Sequence, residues 1–191
     1  TDAINEGVRQ AYKDYNFRKS DVADPIEREN TEDNTPAAVH VSLVEGDQLR
    51  LLLAPKGFGS ENMSALRMLK PAQGIAGIKD FVVETVIKAG GNPCPPIIVG
   101  VGIGGTMEKA ALMAKRALFR PIGSQNPKNH LARLEEELLE LVNKTGIGPQ
   151  GFGGTQTALA VFVDSYPTHI AGLPVAININ CHAARHVEVI I

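Results

Sequence analysis

A continuous apolar run from Pro96 to Ile103 constrains the fold of this chain more than any other feature. Such a run is typical of a strand that is buried on both faces. Apolar residues at helical spacing over Gly74–Ala89, Met107–Leu118 and His130–Asn143 predict helices around it. Because helices and strands interleave irregularly, we predict an α+β fold with a mixed, largely antiparallel sheet flanked by helices.

The remaining segments complete this prediction. Alternating apolar residues predict a β-hairpin formed by Ala37–Val44 and Gln48–Ala54. Glu135, Glu136, Glu137 and Glu140 are expected on the solvated face of their helix, and Arg18–Thr35 is expected to form a surface loop. No clean boundary is visible, so we predict a single domain over residues 1–191. Further predicted elements are a helix over Thr1–Tyr15 and strands over Thr157–Asp164, Leu173–Asn180 and His186–Ile191.

Composition and charge exclude several classes of protein. With 43% hydrophobic residues and a net charge of −2, the chain has material for a core but not the basic surface that nucleic-acid binding requires. No apolar run approaches the roughly 20 residues of a membrane span. With no secretion signal, we expect a cytoplasmic protein whose two cysteines stay reduced; a disulfide between them is the less favoured alternative.

The two cysteines lie in unusual settings. Cys94 is framed by prolines in Asn92-Pro93-Cys94-Pro95-Pro96, and Cys181 begins the stretch Cys181-His182-Ala183-Ala184-Arg185-His186. Two thiolates are too few for an ordinary closed metal site, but they supply most of an iron–sulfur site if one more comes from elsewhere. Zinc binding and a Cys–His nucleophile remain alternatives, although the usual ligand spacings for zinc are lacking.

Three glycine-rich segments suggest a backbone-lined pocket for a small anion. They are Lys56–Asn62, Gly100–Thr106 and Gly146–Thr155. The second follows a strand and opens a helix, but it misses the dinucleotide fingerprint. Its alternatives are a close helix–strand crossing that tolerates only glycine and an anion at the helix N-terminus. His169, in a polar loop between two predicted strands, is free to reach a pocket or is a surface histidine.

Taken together, these motifs resemble the α-type subunit of iron–sulfur-dependent hydro-lyases, the class I fumarases and L-tartrate dehydratases. The resemblance covers essentially the whole chain. It is carried by Arg18-Lys19-Ser20 through Asn34-Thr35-Pro36, Lys56–Asn62, Asn92–Pro96, Gly100–Thr106, Gly146–Gly151, Tyr166-Pro167-Thr168-His169 and Asn180–His186.

The resemblance implies a [4Fe–4S] cluster with three cysteine ligands and one open iron, which acts on the substrate as a Lewis acid. Cys94 and Cys181 match two of these ligands. The family's third cysteine belongs to an upstream Cys-Gln-Asp stretch that this sequence does not contain, so we expect a chain that lacks the N-terminal part of an α-subunit. The resemblance also implies that Arg18 and His169 bind substrate as catalytic residues, together with the backbone of the Gly57/Gly59 loop.

The resemblance therefore predicts the α-type part of a fumarate hydratase of the tricarboxylic acid cycle, which hydrates fumarate reversibly to malate. We expect the isolated chain to be inactive, because further catalytic groups lie in a β-type subunit or domain. The expected assembly is a homodimer of α-plus-β units. The alternatives are an L-tartrate dehydratase α subunit, a non-catalytic module that docks a β-type subunit, and a dinucleotide-dependent oxidoreductase.

Overall fold

The computed structural model describes all 191 residues, which form two compact units, Thr1–Gln48 and Leu49–Ile191. A single domain over residues 1–191 stays a prediction. None of the helices combines the length and the hydrophobicity that a membrane span requires. The helices are α1 (Asp2–Asp14), α2 (Phe58–Glu61), α3 (Gly74–Ala89), α4 (Met107–Ala117) and α5 (Asn129–Asn143), and the strands are β1 (Arg50–Leu53), β2 (Ala65–Leu69), β3 (Ile97–Gly104), β4 (Ala158–Tyr166), β5 (Leu173–Asn180) and β6 (Val187–Ile190).

The N-terminal unit consists of α1 and a long hydrogen-bonded loop. Arg9 of α1 donates from Nε to Asp33 across 2.7 Å. The buried Asn34 accepts the backbone N–H groups of Ser20 and Asp21 on its side-chain oxygen, at 2.7 and 3.2 Å. Polar side chains therefore organise this loop, in agreement with the absence of an apolar period in its sequence.

The C-terminal unit is built on a four-stranded sheet in the order β2-β5-β3-β4. Strand β5 is antiparallel to both β2 and β3, whereas β3 and β4 are parallel. The predicted α+β fold with a mixed, largely antiparallel sheet is confirmed. The central strand β3 is buried along almost its whole length, as its unbroken apolar sequence predicts.

Helices cover both faces of this sheet. Helices α3 and α5 pack on one face, where Val82, Leu138 and Val99 are fully buried, and α4 packs on the other. Glycines let α4 approach β3 closely: a Cβ on Gly100 or Gly102 would lie 2.0 or 2.1 Å from a carbonyl oxygen of α4. The glycine run of β3 is therefore a close helix–strand crossing, one of the alternatives that its sequence left open.

The predicted hairpin is wrong. Residues 37–44 form no strand, and β1 pairs instead with the distant β6, with Arg50 opposite Ile190 and Leu53 opposite Val187. The alternating pattern indicated the tendency of β1 to be extended but carried no information about its partner. Strand β2 and the short helix α2 were not predicted at all, because four or five residues are too few to establish a period.

Glu135 is also misplaced by the sequence pattern, because it is buried rather than on the solvated face of α5. Its carboxylate accepts hydrogen bonds from Arg120, from the side-chain amide of Asn126 and from the backbone N–H of Val163. The last of these belongs to β4, the edge strand. Glu135 therefore caps an open sheet edge, a role that a helical period cannot distinguish from solvent exposure.

Candidate functional site

The Cys94 loop joins α3 to β3. Pro93 and Pro95 are buried, whereas Cys94 between them is exposed. Its backbone has a φ of +54°, in the left-handed region that few non-glycine residues adopt. The two buried prolines and this backbone turn therefore expose a free thiol just before the beginning of β3.

Cys181 follows β5 directly and reaches the same end of the sheet. Because β5 runs antiparallel to β3, Asn180 lies opposite Ile98 at the beginning of β3. The imidazole Nδ1 of His182 lies 2.9 Å from the carbonyl oxygen of Cys94. Both cysteines are free thiols, and Cys181 is partly exposed. The structure therefore brings together the two predicted ligand loops.

Two of the three glycine-rich segments close around these cysteines. Gln150 binds the carbonyl oxygen of Pro95 with its backbone N–H at 2.8 Å and its side-chain amide at 3.1 Å. Next to it, a Cβ on Gly151 would lie 2.7 Å from Gly91, so only glycine permits this approach of the two loops. On the other side, the Cβ position of Gly59 lies 3.7 Å from the carbonyl oxygen of Asn92.

A charged network, which the sequence did not single out, lies beside Cys181. Glu61 accepts hydrogen bonds from Lys56 at 2.8 Å and from Lys115 at 2.7 Å. Burial opposes ionisation of this carboxyl, but the two ammonium groups outweigh burial and lower the pKa of Glu61 to about 2. Burial lowers the pKa of Lys56, against the raising effects of Glu61 and, more weakly, of Cys181. The network thus carries two positive charges and one negative charge.

Asn178 on β5 extends the network. Its side-chain amide donates to both oxygens of Glu61, at 3.4 and 3.2 Å, while its own buried side-chain oxygen has no partner. The signal that would have identified this group is the occurrence of a lysine and a glutamate within a glycine-rich segment, where a simple turn requires neither charge. Lys115 and Asn178 carry no such signal, because only the fold brings them there.

His169 does not join the cysteines within this unit. It follows β4, three residues beyond Tyr166, and Tyr166 pairs with Gly104 at the far end of β3. Since β3 has eight residues and a strand rises about 3.3 Å per residue, β3 is about 23 Å long, and His169 follows the strand end opposite to the cysteine loops. There it lines an open cavity of about 640 Å³ with Lys109 and Tyr166.

The other predicted residues are placed as follows. Arg18 is exposed and belongs to the N-terminal unit. Its substrate-binding role, and those of Gly57, Gly59 and His169, stay predictions. His186 packs edge-to-face on Phe119, with ring centroids 5.7 Å apart, so of the two histidines near Cys181 only His182 contacts the Cys94 loop.

The donor set fits an iron–sulfur cluster in part. Thiolates are the ligands that such clusters use, and Cys94 and Cys181 present two of them from adjoining loops. No group of three or more His, Cys, Asp or Glu side chains in the chain is arranged to hold a metal ion. The two thiols are therefore the thiolate donors that this chain offers to such a group, and its sequence contains no third cysteine.

The chain is similar to known proteins along most of its length. The family model for fumarate hydratase (Fumerase) matches residues 1–190. The chain is 48% identical over 187 residues to the putative L(+)-tartrate dehydratase subunit alpha of Methanocaldococcus jannaschii, covering 95% of this chain and 65% of the relative. It is 34% identical over 156 residues to the L(+)-tartrate dehydratase subunit alpha of Escherichia coli K12, covering 82% of this chain and 52% of the relative.

The chain thus spans about half to two thirds of the length of these curated relatives. The family match nevertheless extends over nearly every residue, including both cysteine loops and the glycine-rich segments between and before them. On this evidence the chain belongs to the fumarate hydratase (Fumerase) family.

Proposed function

We propose that this chain is the cluster-binding, α-type part of an iron–sulfur-dependent hydro-lyase. The observation that carries the proposal is the hydrogen bond between His182 and the carbonyl of Cys94, which joins the two loops that bear the only cysteines. Membership of the fumarate hydratase family supports the hydro-lyase class. A bound [4Fe–4S] cluster would supply an open iron, a Lewis acid for the hydroxyl and carboxylate of a substrate.

The residues of this chain then have distinct tasks. Cys94 and Cys181 would hold the cluster through their thiolates. Gln150 would fix the Cys94 loop by its two hydrogen bonds to Pro95, and the Gly57/Gly59 loop would present backbone N–H groups to a substrate carboxylate. Since His169 lies at the other end of the sheet, its proposed contact with substrate requires a site that this unit does not form alone.

For the substrate, we propose fumarate, with L(+)-tartrate as the second candidate. The family description favours fumarate, whereas the names of the relatives favour tartrate. The two reactions share their chemistry, since both add or remove water next to a carboxylate. We propose that the choice between a substrate hydrogen and a hydroxyl rests on groups outside this chain.

We further propose that a third thiolate and a β-type partner complete the enzyme. Two cysteines leave a cluster one ligand short, and the relatives are named as alpha subunits. We propose in addition that the complete form is an assembly of two α-plus-β units in the cytoplasm and that only this form is active. The alternative of a non-catalytic module that docks a β-type subunit predicts no iron binding at either cysteine.

The test is anaerobic reconstitution of the chain with ferrous iron and sulfide, with and without a peptide that carries one additional cysteine. We expect weak absorbance at about 400 nm for the chain alone and a clear gain with the peptide. Cys94→Ala and Cys181→Ala should each abolish that gain. His186→Ala is the matched control, because His186 lies near Cys181 in sequence but packs on Phe119.

Two outcomes would contradict the proposal. Iron content that is unchanged in both cysteine variants would remove these residues from the site. A complete and stable cluster on the chain without any added thiol would refute the requirement for a third ligand from outside. Once the β-type partner is added, hydration of fumarate and dehydration of L(+)-tartrate, measured side by side, decide the substrate.

A further inference from the structure

The last residues of β5, which lead into Cys181, are held by side chains instead of by a neighbouring strand. Pairing between β2 and β5 ends where Ala65 lies opposite Ile177. Two residues further on, the backbone N–H of Ile179 donates to Ser64 Oγ at 3.3 Å. The carbonyl oxygen of the same residue accepts a hydrogen bond from Lys56 Nζ at 2.7 Å. Both backbone groups that β2 leaves unpaired are therefore satisfied.

The ammonium group of Lys56 has three partners within the protein. Besides the carbonyl of Ile179, it contacts Glu61 Oε2 at 2.8 Å and Ser60 Oγ at 3.3 Å. A lysine has three donors, and all three are used within the protein. Lys56 is therefore not free to bind a substrate carboxylate, although it lies next to the Gly57/Gly59 loop.

The contacts of Lys56 also connect β5 with helix α4. Glu61, which binds Lys56, accepts a second hydrogen bond from Lys115 of α4 at 2.7 Å, so two ammonium groups and one carboxylate link α4 with β5. The side chain of Lys56 is only 16% exposed, which limits its freedom to leave this geometry. Of the two lysines, only Lys56 contacts the backbone of β5.

We infer that Lys56 is a positioning residue for Cys181. It fixes the carbonyl of Ile179 to Glu61 and so sets where the chain turns out of the sheet and presents the thiol. This inference rests on the proposed function, in which Cys181 binds a cluster. Ser64 also holds Ile179 in place, because its hydroxyl oxygen accepts a hydrogen bond from the backbone N–H of Ile179.

The test compares Lys56→Met with Lys115→Met. Both substitutions remove one ammonium group from Glu61, but only the first frees the carbonyl of Ile179. Hydrogen exchange of the segment 178–182 should rise about tenfold in Lys56→Met, the effect of losing a hydrogen bond to a charged group, and much less in Lys115→Met. Lys56→Arg, which retains a donor at this place, should restore most of the protection.

A second readout addresses the cluster. In the chain reconstituted with the cysteine peptide, the absorbance of the cluster under a chelator should decay about tenfold faster in Lys56→Met than in Lys115→Met. If Lys56→Met fails to fold, Ser64→Ala removes the other contact to Ile179 and should give a smaller rise in both readouts.

The outcomes separate the two proposals. If the wild-type chain takes up no iron, the proposed function fails, while the hydrogen-exchange comparison still decides whether Lys56 positions Cys181. If the wild type binds a cluster and Lys56→Met matches Lys115→Met in both readouts, the positioning role is overturned and the proposed function stands.

Discussion

His182 and Cys94 are 88 residues apart in sequence, and the Nδ1 atom of the first lies 2.9 Å from the carbonyl oxygen of the second. Because a carbonyl oxygen only accepts hydrogen bonds, this contact is a hydrogen bond in the form of the imidazole that carries a proton on Nδ1. One hydrogen bond thus ties the residue next to Cys181 to the backbone of Cys94. This contact and the antiparallel pairing of β3 with β5 bring the two cysteine loops next to each other.

Removing this link should loosen the site without unfolding the chain. We expect His182→Ala to speed loss of iron from the reconstituted chain about fivefold, because an ordinary hydrogen bond contributes about 1 kcal/mol. The midpoint of thermal unfolding should change little, since His182 is exposed. Release of iron to a coloured chelator measures the effect. His186→Ala should release iron at the wild-type rate, and equal rates in the two variants would argue against the role of His182.

Ionisation of Glu61 should make the free energy of unfolding depend on pH in the acid range. Its pKa in the folded chain is about 2, below the ordinary value of 4.5, so its ionised form stabilises the fold above about pH 4.5. That contribution is lost as the pH falls from 4.5 towards 2, because the unfolded chain then binds the proton first. We therefore expect the difference in free energy of unfolding between the wild type and Glu61→Gln to shrink on acidification.

Urea unfolding at about pH 6 and about pH 3.5 measures this difference. Glu136→Gln is the matched control, because Glu136 is exposed and lies on another helix, α5. Its difference from the wild type should be small at both values. A Glu61→Gln difference that is constant across this range would mean that the two lysines do not stabilise the ionised carboxylate.

Substitution of Glu135 should lower the free energy of unfolding more than substitution of an exposed acidic residue. Glu135→Ala would leave the buried N–H of Val163 and the amide of Asn126 without their acceptor and would deprive Arg120 of its partner. Breaking a buried ion pair from one side costs about 3 kcal/mol or more. Chemical denaturation measures the loss, and Glu136→Ala on the same helix should stay within about 0.5 kcal/mol of the wild type. Similar losses in the two variants would contradict the capping role of Glu135.

Much of the C-terminal unit could be predicted from the sequence, because its elements carry their own period. Gly74–Ala89 is a helix over the residues that its apolar spacing indicated, and Leu173–Asn180 is likewise the strand that was predicted. What could not be predicted is pairing. The partner of β1 lies at the other end of the chain, in β6, and no local pattern distinguishes that partner from residues 37–44.

The same limit applies to the candidate site. The two cysteine loops were identified from their residues and by resemblance, and the structure brings them together. Lys56 and Glu61 were seen only as part of a glycine-rich segment, because their function as an anchor depends on Lys115 and on the unpaired end of β5. The separation of His169 from the cysteines could not be predicted from the sequence either, because it depends on the parallel pairing of β3 with β4.

The glycines of β3 provide the sharpest test of the packing. A Cβ on Gly102 would lie 2.1 Å from the carbonyl oxygen of Ala110 and 2.8 Å from the backbone nitrogen of Ala114, both in α4. Backbone atoms cannot move aside as a flexible side chain can, so α4 would have to shift. We expect Gly102→Ala to lower the free energy of unfolding by about 3 kcal/mol, at the upper end of ordinary overpacking.

Gly172→Ala is the matched control within the same unit, because a Cβ there meets its nearest atoms at 3.9 and 4.0 Å. Its free energy of unfolding should stay within about 0.5 kcal/mol of the wild type. Normal stability of Gly102→Ala would show that α4 does not pack against β3 as closely as the structure indicates.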